Sequence, residues 1–301
     1  MKVGNLEILV GADPELFVKY GREFVSAHGM VKGTKENPFP VKDGAVQVDG
    51  MALEFNIDPA NNEKEFTHNL ISVMGQLSKM VPDFKLCAVA VAEFSKEVMA
   101  NTPDEAKILG CDADYNAWNK GRANPIPDAS VSYRTAAGHI HIGWCEGMDI
   151  TDEGHIQACI LLAKQLDLYL GVPSLNFDKD SKRRDLYGKA GAFRVKSYGM
   201  EYRVLSNAWL KDKSLMSWVY NNTIEAVRNL LDGGHGSPYG LDRVINNSNY
   251  WQVKEYLEDY DICPPPEINN NSDDIAIFSK ARHPFAKFFG DGLINGRMRD
   301  V

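Results

Sequence analysis

Three separated segments alternate apolar and polar residues with the two-residue period of a β-strand, and each sets a pair of reactive groups on its polar side. Successive strand side chains point to opposite faces, so residues i and i+2 share a face. In MALEFNI (51–57), Met51, Leu53, Phe55 and Ile57 face one way, and Glu54 and Asn56 the other. In GHIHIGW (138–144), Ile140 and Ile142 oppose His139 and His141. In GMEYRVL (199–205), Tyr202 and Val204 oppose Glu201 and Arg203. Each strand thus has an apolar face for a core and a face with two polar groups. A lone His-x-His strand reads better as a satisfied pair on an ordinary sheet face. Three strands offering Glu, Asn, His, His, Glu and Arg predict the floor of a polar site. Carboxylates joined by imidazole suit Mg²⁺ or Mn²⁺, which prefer oxygen ligands.

Two further stretches bear on that site. Asp13-Pro14-Glu15 again spaces two acids by two residues, although Pro14 leaves a turn opening a strand as an equal reading. RRDLYGKAGAFR (183–194) sets Arg183, Arg184, Lys189 and Arg194 around Gly188 and Gly191, just ahead of Glu201 and Arg203. Guanidinium forks match phosphate oxygens, and glycines let a backbone approach closely. A solvated basic loop is the plainer alternative. Beside a metal-ligand set, a phosphate-binding loop predicts a metal–nucleotide complex. The chain as a whole is acidic, with 33 basic and 41 acidic residues and a net charge of −8. That balance predicts no nucleic-acid partner and no membrane-surface binding, both of which need a positive field.

The remainder reads as a globular α+β chain with a largely antiparallel sheet. Residues 6–26 predict two short strands turning at Gly21, and Asp49-Gly50 predicts a hairpin turn. KLCAVAVAEF (85–94) predicts one buried strand. Helices are predicted over 62–80, over 152–170 with Gly171 and Pro173 as its stop, and over 213–231. The turn-rich stretch 100–136 is a candidate substrate flap carrying Asp112, Asp114, Tyr115, Trp118 and Arg122. Residues 1–234 predict one catalytic domain, and 235–301 an extension packed on it. His28, His68, His155, His235 and His283 lack partners in sequence and read as structural or surface residues. Five scattered cysteines without a CxxC pair predict reduced thiols in a cytoplasm. The opening MKVGNLEILVGADPE lacks the apolar core of a signal peptide.

GADPELF, LEFN, AGHIHIG, and YGKAGAFR followed by YGMEYR, in that order over about residues 7–210, resemble the phage-type carboxylate-amine ligase family, type 2. That family is grouped with glutamine synthetase and glutamate–cysteine ligase. The resemblance implies a glutamine synthetase-like curved sheet with helices on its outer face. It implies an ATP- and Mg²⁺- or Mn²⁺-dependent ligase that joins a small-molecule or peptide carboxylate to an amine through an acyl phosphate. By the family's pattern, Asp13, Glu15, Glu54, His139 and Glu201 bind metal. His141, Arg183, Arg184, Lys189, Arg194 and Arg203 hold the nucleotide phosphates, and Arg194, Arg203 and Glu54 count as catalytic. The resemblance leaves room for a homo-oligomer and for a glutamine amidotransferase-like partner, and it places a phage-encoded enzyme in the host cytoplasm. The small N-terminal domain that glutamine synthetase uses between subunits has no obvious counterpart, which puts a ring assembly in doubt. A phosphotransferase of the guanidino-kinase type and a metal-dependent hydrolase without ATP remain as alternatives.

Overall fold

The computed structural model describes residues 1–108, 114–125, 131–234, 238–268 and 275. Its main sheet joins eleven strands, every pair antiparallel. The central path runs Arg122–Ala123, Tyr115–Asn116, Ala192–Lys196, Gly199–Tyr202, Gly138–Gly143, Leu9–Tyr20, Ala52–Ile57, Gly44–Asp49, Phe39–Val41. The strand Leu9–Tyr20 is its spine. The first half pairs with Gly138–Gly143, and from Glu15 onward it pairs with Ala52–Ile57, Lys85–Cys87 and Glu23–Val25. Strand therefore wins over turn at Asp13-Pro14-Glu15. Pro14 stands opposite Gly138, and the Glu15 N–H restores the ladder by bonding Ala137 O at 2.9 Å.

The apolar face is covered by three long helices, Glu63–Met80, Glu153–Leu166 and Lys213–Leu231. Each starts at a side-chain cap: Asn62 accepts from Glu65 N, Asp152 from His155 N and Asp212 from Ser214 N. Leu53, Phe55, Ile140, Ile142, Tyr202 and Val204 from the strands meet Phe66, Leu70, Leu166 and Val219 from the helices in one core. Met51 departs from the predicted alternation. It lies in the hairpin turn beside Gly50, whose φ is 57°, and packs in a second cluster with Phe17, Ala92 and Phe94. Among the described residues, no helix is long and apolar enough to cross a membrane.

Two sequence expectations need correction. The stretch 85–94 is two strands, not one: Lys85–Cys87 joins the main sheet, while Val91–Glu93 pairs with Tyr133–Thr135 in a separate ribbon. Its run of small apolar residues carries no turn signal, so only pairing partners divide it. The helix over 152–170 does not stop at Gly171. It widens to a π-helix over Asp167–Gly171 and continues through Val172–Ser174, with Val172 N–H bonding Asp167 O. Gly171 serves clearance instead: a Cβ there would lie 2.8 Å from the Tyr202 hydroxyl and 2.7 Å from Ile245 Cδ1.

Beyond residue 234, short helices Leu241–Asn246 and Val253–Asp259 place Leu241, Val244, Ile245 and Val253 in the same main core. Cys111, Asp112, His235 and His283 lie outside the described residues.

Candidate functional site

The polar face of the sheet floors a cleft of about 840 Å³. Pairing register decides which predicted residues meet there. Arg194 stands opposite Glu201, Glu201 opposite His141, and His141 opposite Gly11. One step along, His139 stands opposite Asp13. Beyond that, Glu15 stands opposite Glu54, and Glu54 opposite Gln47. The three polar strand faces read from the sequence thus lie on one surface, joined through the Asp13–Glu15 strand.

The densest charge lies around Asp13 and Glu201. His141 Nε2 is 3.0 Å from Asp13 Oδ1, and His139 Nδ1 is 3.3 Å from Asp13 Oδ1 and 3.4 Å from Glu201 Oε1. Lys196 Nζ sits 2.8 Å from Glu201 Oε2, Arg194 Nη1 3.8 Å from Glu201 Oε1, and Arg203 Nη1 donates to Glu201 Oε1. Arg203 Nε also lies 3.6 Å from Asp114 Oδ2, on the sheet-edge segment. Burial opposes ionisation of Glu201, as does Asp13, yet Arg203, His139 and His141 hold its carboxyl at about 2. Burial likewise opposes the Asp13 charge, but His141 and His139 keep it well below the usual range. Burial, with Arg203, lowers His139 to about 4, whereas Asp13 overcomes burial and raises His141.

Asp13, His141 and Glu201 each offer a ligand atom, all within 4.8 Å of one another, and no other set of three does so among the described residues. Asp13 Oδ1 and His141 Nε2 are buried and lack an aligned hydrogen-bond partner, although they face each other at 3.0 Å. The His141 Nδ1 contacts the Tyr198 hydroxyl. With a cation between His141 and Asp13, a proton kept on Nδ1 and donated to Tyr198 would free the Nε2 lone pair for the cation, as hydrogen-bond partners do for metal-bound histidines. The residues present therefore fit a divalent cation. Glu15, Glu54 and His139, predicted as ligands, stand outside this set, and His141, predicted to hold phosphate, stands inside it. Burial, then Asp49, raises Glu15 to about 7. Burial and three neighbouring acids, Asp13, Asp49 and Glu15, push Glu54 well above its ordinary value.

The basic run divides. Arg194 and Arg183 line the cleft. Arg183 is buried, and its Nη1 donates to Val204 O at 2.7 Å. Arg184 is not on the cleft wall: it bonds Asp180 O and Ser248 Oγ and lies 3.6 Å from Asp178. Lys189 is half-buried and also off the wall. The two glycines serve close packing, since a Cβ on Gly188 would lie 1.8 Å from Arg183 Nη1 and one on Gly191 2.6 Å from Trp118 Cδ1. Of the flap candidates, Asp114 lines the cleft, Tyr115 packs on Phe193, Trp118 turns to the sheet's rear, and Arg122 is exposed. Lys196, Tyr198, Gln47 and Asp49 line the cleft and were missed. Lys196 sits two residues after Arg194, so the alternation rule alone would have found it.

No curated protein matches the chain. Among solved structures, a bifunctional glutathione synthetase from Pasteurella multocida aligns at 10% identity and a TM-score of 0.37, over 85% of this chain and 47% of that one. The chain spans about half of that protein's length, and the similarity is too slight to bear on the fold. Residues 118–228 match the family model described as phage phiEco32-like COOH.NH2 ligase-type 2. That segment carries His139, His141, Arg194, Glu201 and Arg203, whereas the Asp13 and Glu54 strands precede it. The family resemblance is borne out over this segment, which holds the AGHIHIG, YGKAGAFR and YGMEYR motifs and ends in the third long helix, while GADPELF and LEFN lie before it.

Proposed function

We propose that this chain is an ATP-dependent carboxylate–amine ligase working on a glutamine synthetase-like sheet. One observation carries the reading: two acids, two histidines and three cations from four neighbouring strand segments converge in one cleft, and all of them but Asp13 lie within the segment that matches the ligase family. A carboxylate oxygen is a poor leaving group, so amide formation needs activation. The substrate carboxylate would take the terminal phosphoryl group of ATP, giving an acyl phosphate and ADP. The amine nitrogen would then attack the acyl carbon, the C–O bond to phosphate would break, and the nitrogen would lose its proton. Mg²⁺ or Mn²⁺, when bound, would neutralise phosphate charge. Asp13, Glu201 and a histidine of the His-x-His strand would hold it. Arg203 and Arg194 would stabilise the transferring group, donors aimed where charge develops. Lys196 and Tyr198 hold Glu201 and His141 in place.

Calorimetric titration with a non-hydrolysable ATP analogue, first with Mg²⁺ and then with Mn²⁺, tests this reading on wild type and Glu201→Gln. Metal-dependent binding that weakens in the variant supports it. A folded wild-type protein that binds the analogue with neither ion sinks it in favour of a metal hydrolase.

A further inference from the structure

Among the described residues, three arginines are almost fully enclosed: Arg134, Arg183 and Arg184, at 5%, 2% and 4% exposure. Two of them neighbour one acid. Arg184 lies 3.6 Å from Asp178, and burial lowers Arg183 to about 10 against the pull of that same carboxylate. Arg134 differs. Among the described residues, no Asp or Glu oxygen lies within 4 Å of it. Burial lowers its pKa. A guanidinium stays protonated even so, and a buried charge without a counter-ion is costly.

The second observation is the hydrogen bonding of Arg134. Its Nη1 donates to Val131 O and Tyr133 O, and its Nη2 to Lys107 O, each at 2.8 Å. These bonds fix the head of the side chain, but their acceptors are neutral carbonyls and supply no charge. Its Nε is buried without a partner. A buried orphaned donor calls for an acceptor, and a guanidinium edge matches the two oxygens of a carboxylate.

Position gives that ligand a shape. The His-x-His segment parts from the Leu9–Tyr20 strand at Ala137. Glu15 N–H bonds Ala137 O, then Ala136 N–H bonds Ala90 O, and Arg134 stands opposite Ala92 in the separate ribbon. Arg134 thus lines the cleft past Glu15, at the end away from His141. The wall there is apolar. Phe17, Met51 and Ala52 cluster with Ala92, and Ala106 and Ile108 flank the Lys107 carbonyl. Arg134 and Ile108 also border a second cavity of about 480 Å³ lined by Phe94 and Met99. In the ligase reading the transferring phosphoryl group belongs with Arg194, Arg203 and the Asp13–His141 pair, so Arg134 calls for a different anion. We infer that Arg134 anchors a remote carboxylate of a substrate, carried on an apolar stem and separate from the carboxylate that is activated. The inference deepens the ligase reading and rests on it.

The probe is hexanoate, with hexanamide as its neutral counterpart, titrated calorimetrically into wild type, Arg134→Met and Ile108→Glu. The ATP analogue with Mg²⁺ is present throughout, and its own binding is measured first. Arg134→Met removes backbone bonds as well as charge. Ile108→Glu therefore serves as the second variant: at 65% exposure the position tolerates the change, and the new carboxylate competes for the guanidinium. Hydrogen bonds between charged groups predict hexanoate binding about tenfold tighter than hexanamide, a preference that falls below about threefold in both variants. Thermal unfolding and analogue binding confirm that each variant is folded. A wild type that binds the analogue but does not discriminate hexanoate from hexanamide overturns the subsite and leaves the ligase reading standing. Discrimination that survives in Ile108→Glu places the carboxylate on another cation and overturns the subsite as well. Discrimination lost in Ile108→Glu, in a protein that binds no analogue, keeps the subsite and removes the ligase reading.

Discussion

Glu201 and Asp167 are both carboxylates with almost no exposure, 1% and 0%, lying on opposite sides of the strand Gly199–Tyr202. Glu201 points into the cleft. Asp167 lies behind the sheet, where the next residue of that strand, Tyr202, donates its hydroxyl to Asp167 Oδ1 at 2.8 Å. Trp118 Nε1 donates to the other oxygen at 2.6 Å. Burial disfavours the charge of both. Glu201 has Arg203, Lys196 and Arg194 around it and stays ionised. Asp167 has only neutral donors, which do not offset burial, and its pKa rises to about 7. Depth therefore does not decide charge here; the sign of the neighbours does. The cleft face is built to hold charge, and the core face to hold geometry. Asp167 ties the Trp118 turn to the strand of Glu201, and it does so from a π-helical segment, a widening often found near functional sites.

The comparison breaks first at Glu201. Glu201→Gln is expected to weaken Mn²⁺ binding by about 100-fold, the upper end of what outer-shell changes cost. Calorimetry reads it, and a change below about threefold would mean that Glu201 is not a ligand.

Next comes the pH dependence of stability, where the two residues carry opposite signs. The raised pKa of Asp167 means the native state holds a proton that the unfolded chain releases, so its contribution is full below about 4 and is lost as pH rises to about 7. The shift is worth up to about 4 kcal/mol. Glu201, held at about 2 in the metal-free protein, contributes stability above about 4.5 that is lost as pH falls toward 2. Urea unfolding from pH 4 to 8 on wild type and Asp167→Asn checks the first. The wild type should lose stability relative to the variant across that range, and parallel curves would refute the assignment.

A smaller effect separates the two arginines. Arg184→Met breaks a buried pair and leaves Asp178 alone, costing about 3 kcal/mol of stability without changing nucleotide affinity. Arg194→Met should do the opposite, weakening analogue binding with little effect on unfolding. Equal effects on affinity would restore Arg184 to the phosphate site. The smallest is Trp118→Phe, which removes one donor from Asp167 and should cost about 1 kcal/mol while raising the Asp167 pKa further. NMR titration of the Asp167 carboxyl reads the pKa, and urea unfolding reads the stability.

Much of the site was legible because strand alternation is a local property. Which side chains share a face follows from backbone stereochemistry alone, and it identified Glu54, His139, His141, Glu201 and Arg203 before any pairing was known. The helix caps at Asn62, Asp152 and Asp212 are local for the same reason. Cationic character was equally visible in the basic run, but the direction of each guanidinium was not. Arg183 and Arg184 are adjacent, and one lines the cleft while the other bonds backbone and Asp178. Gly171, Gly188 and Gly191 look like punctuation in a sequence. Their role here is to let Tyr202, Arg183 and Trp118 approach closely, and these partners stand 31, 5 and 73 positions away in the chain.

By itself, then, the sequence determined an α+β chain with an amphipathic sheet and the chemical kinds of group on its open face, since propensity and period act over a few residues. Tertiary structure alone decided that Asp13 meets the histidines while Glu15 meets Glu54, that Gln47 and Asp49 extend that acidic row, and that the pKa of Asp167 is pushed up while that of Glu201 is held down. Register and burial are set by contacts between strands and helices far apart in the chain, and charge in a low-dielectric interior follows from the partners those contacts supply.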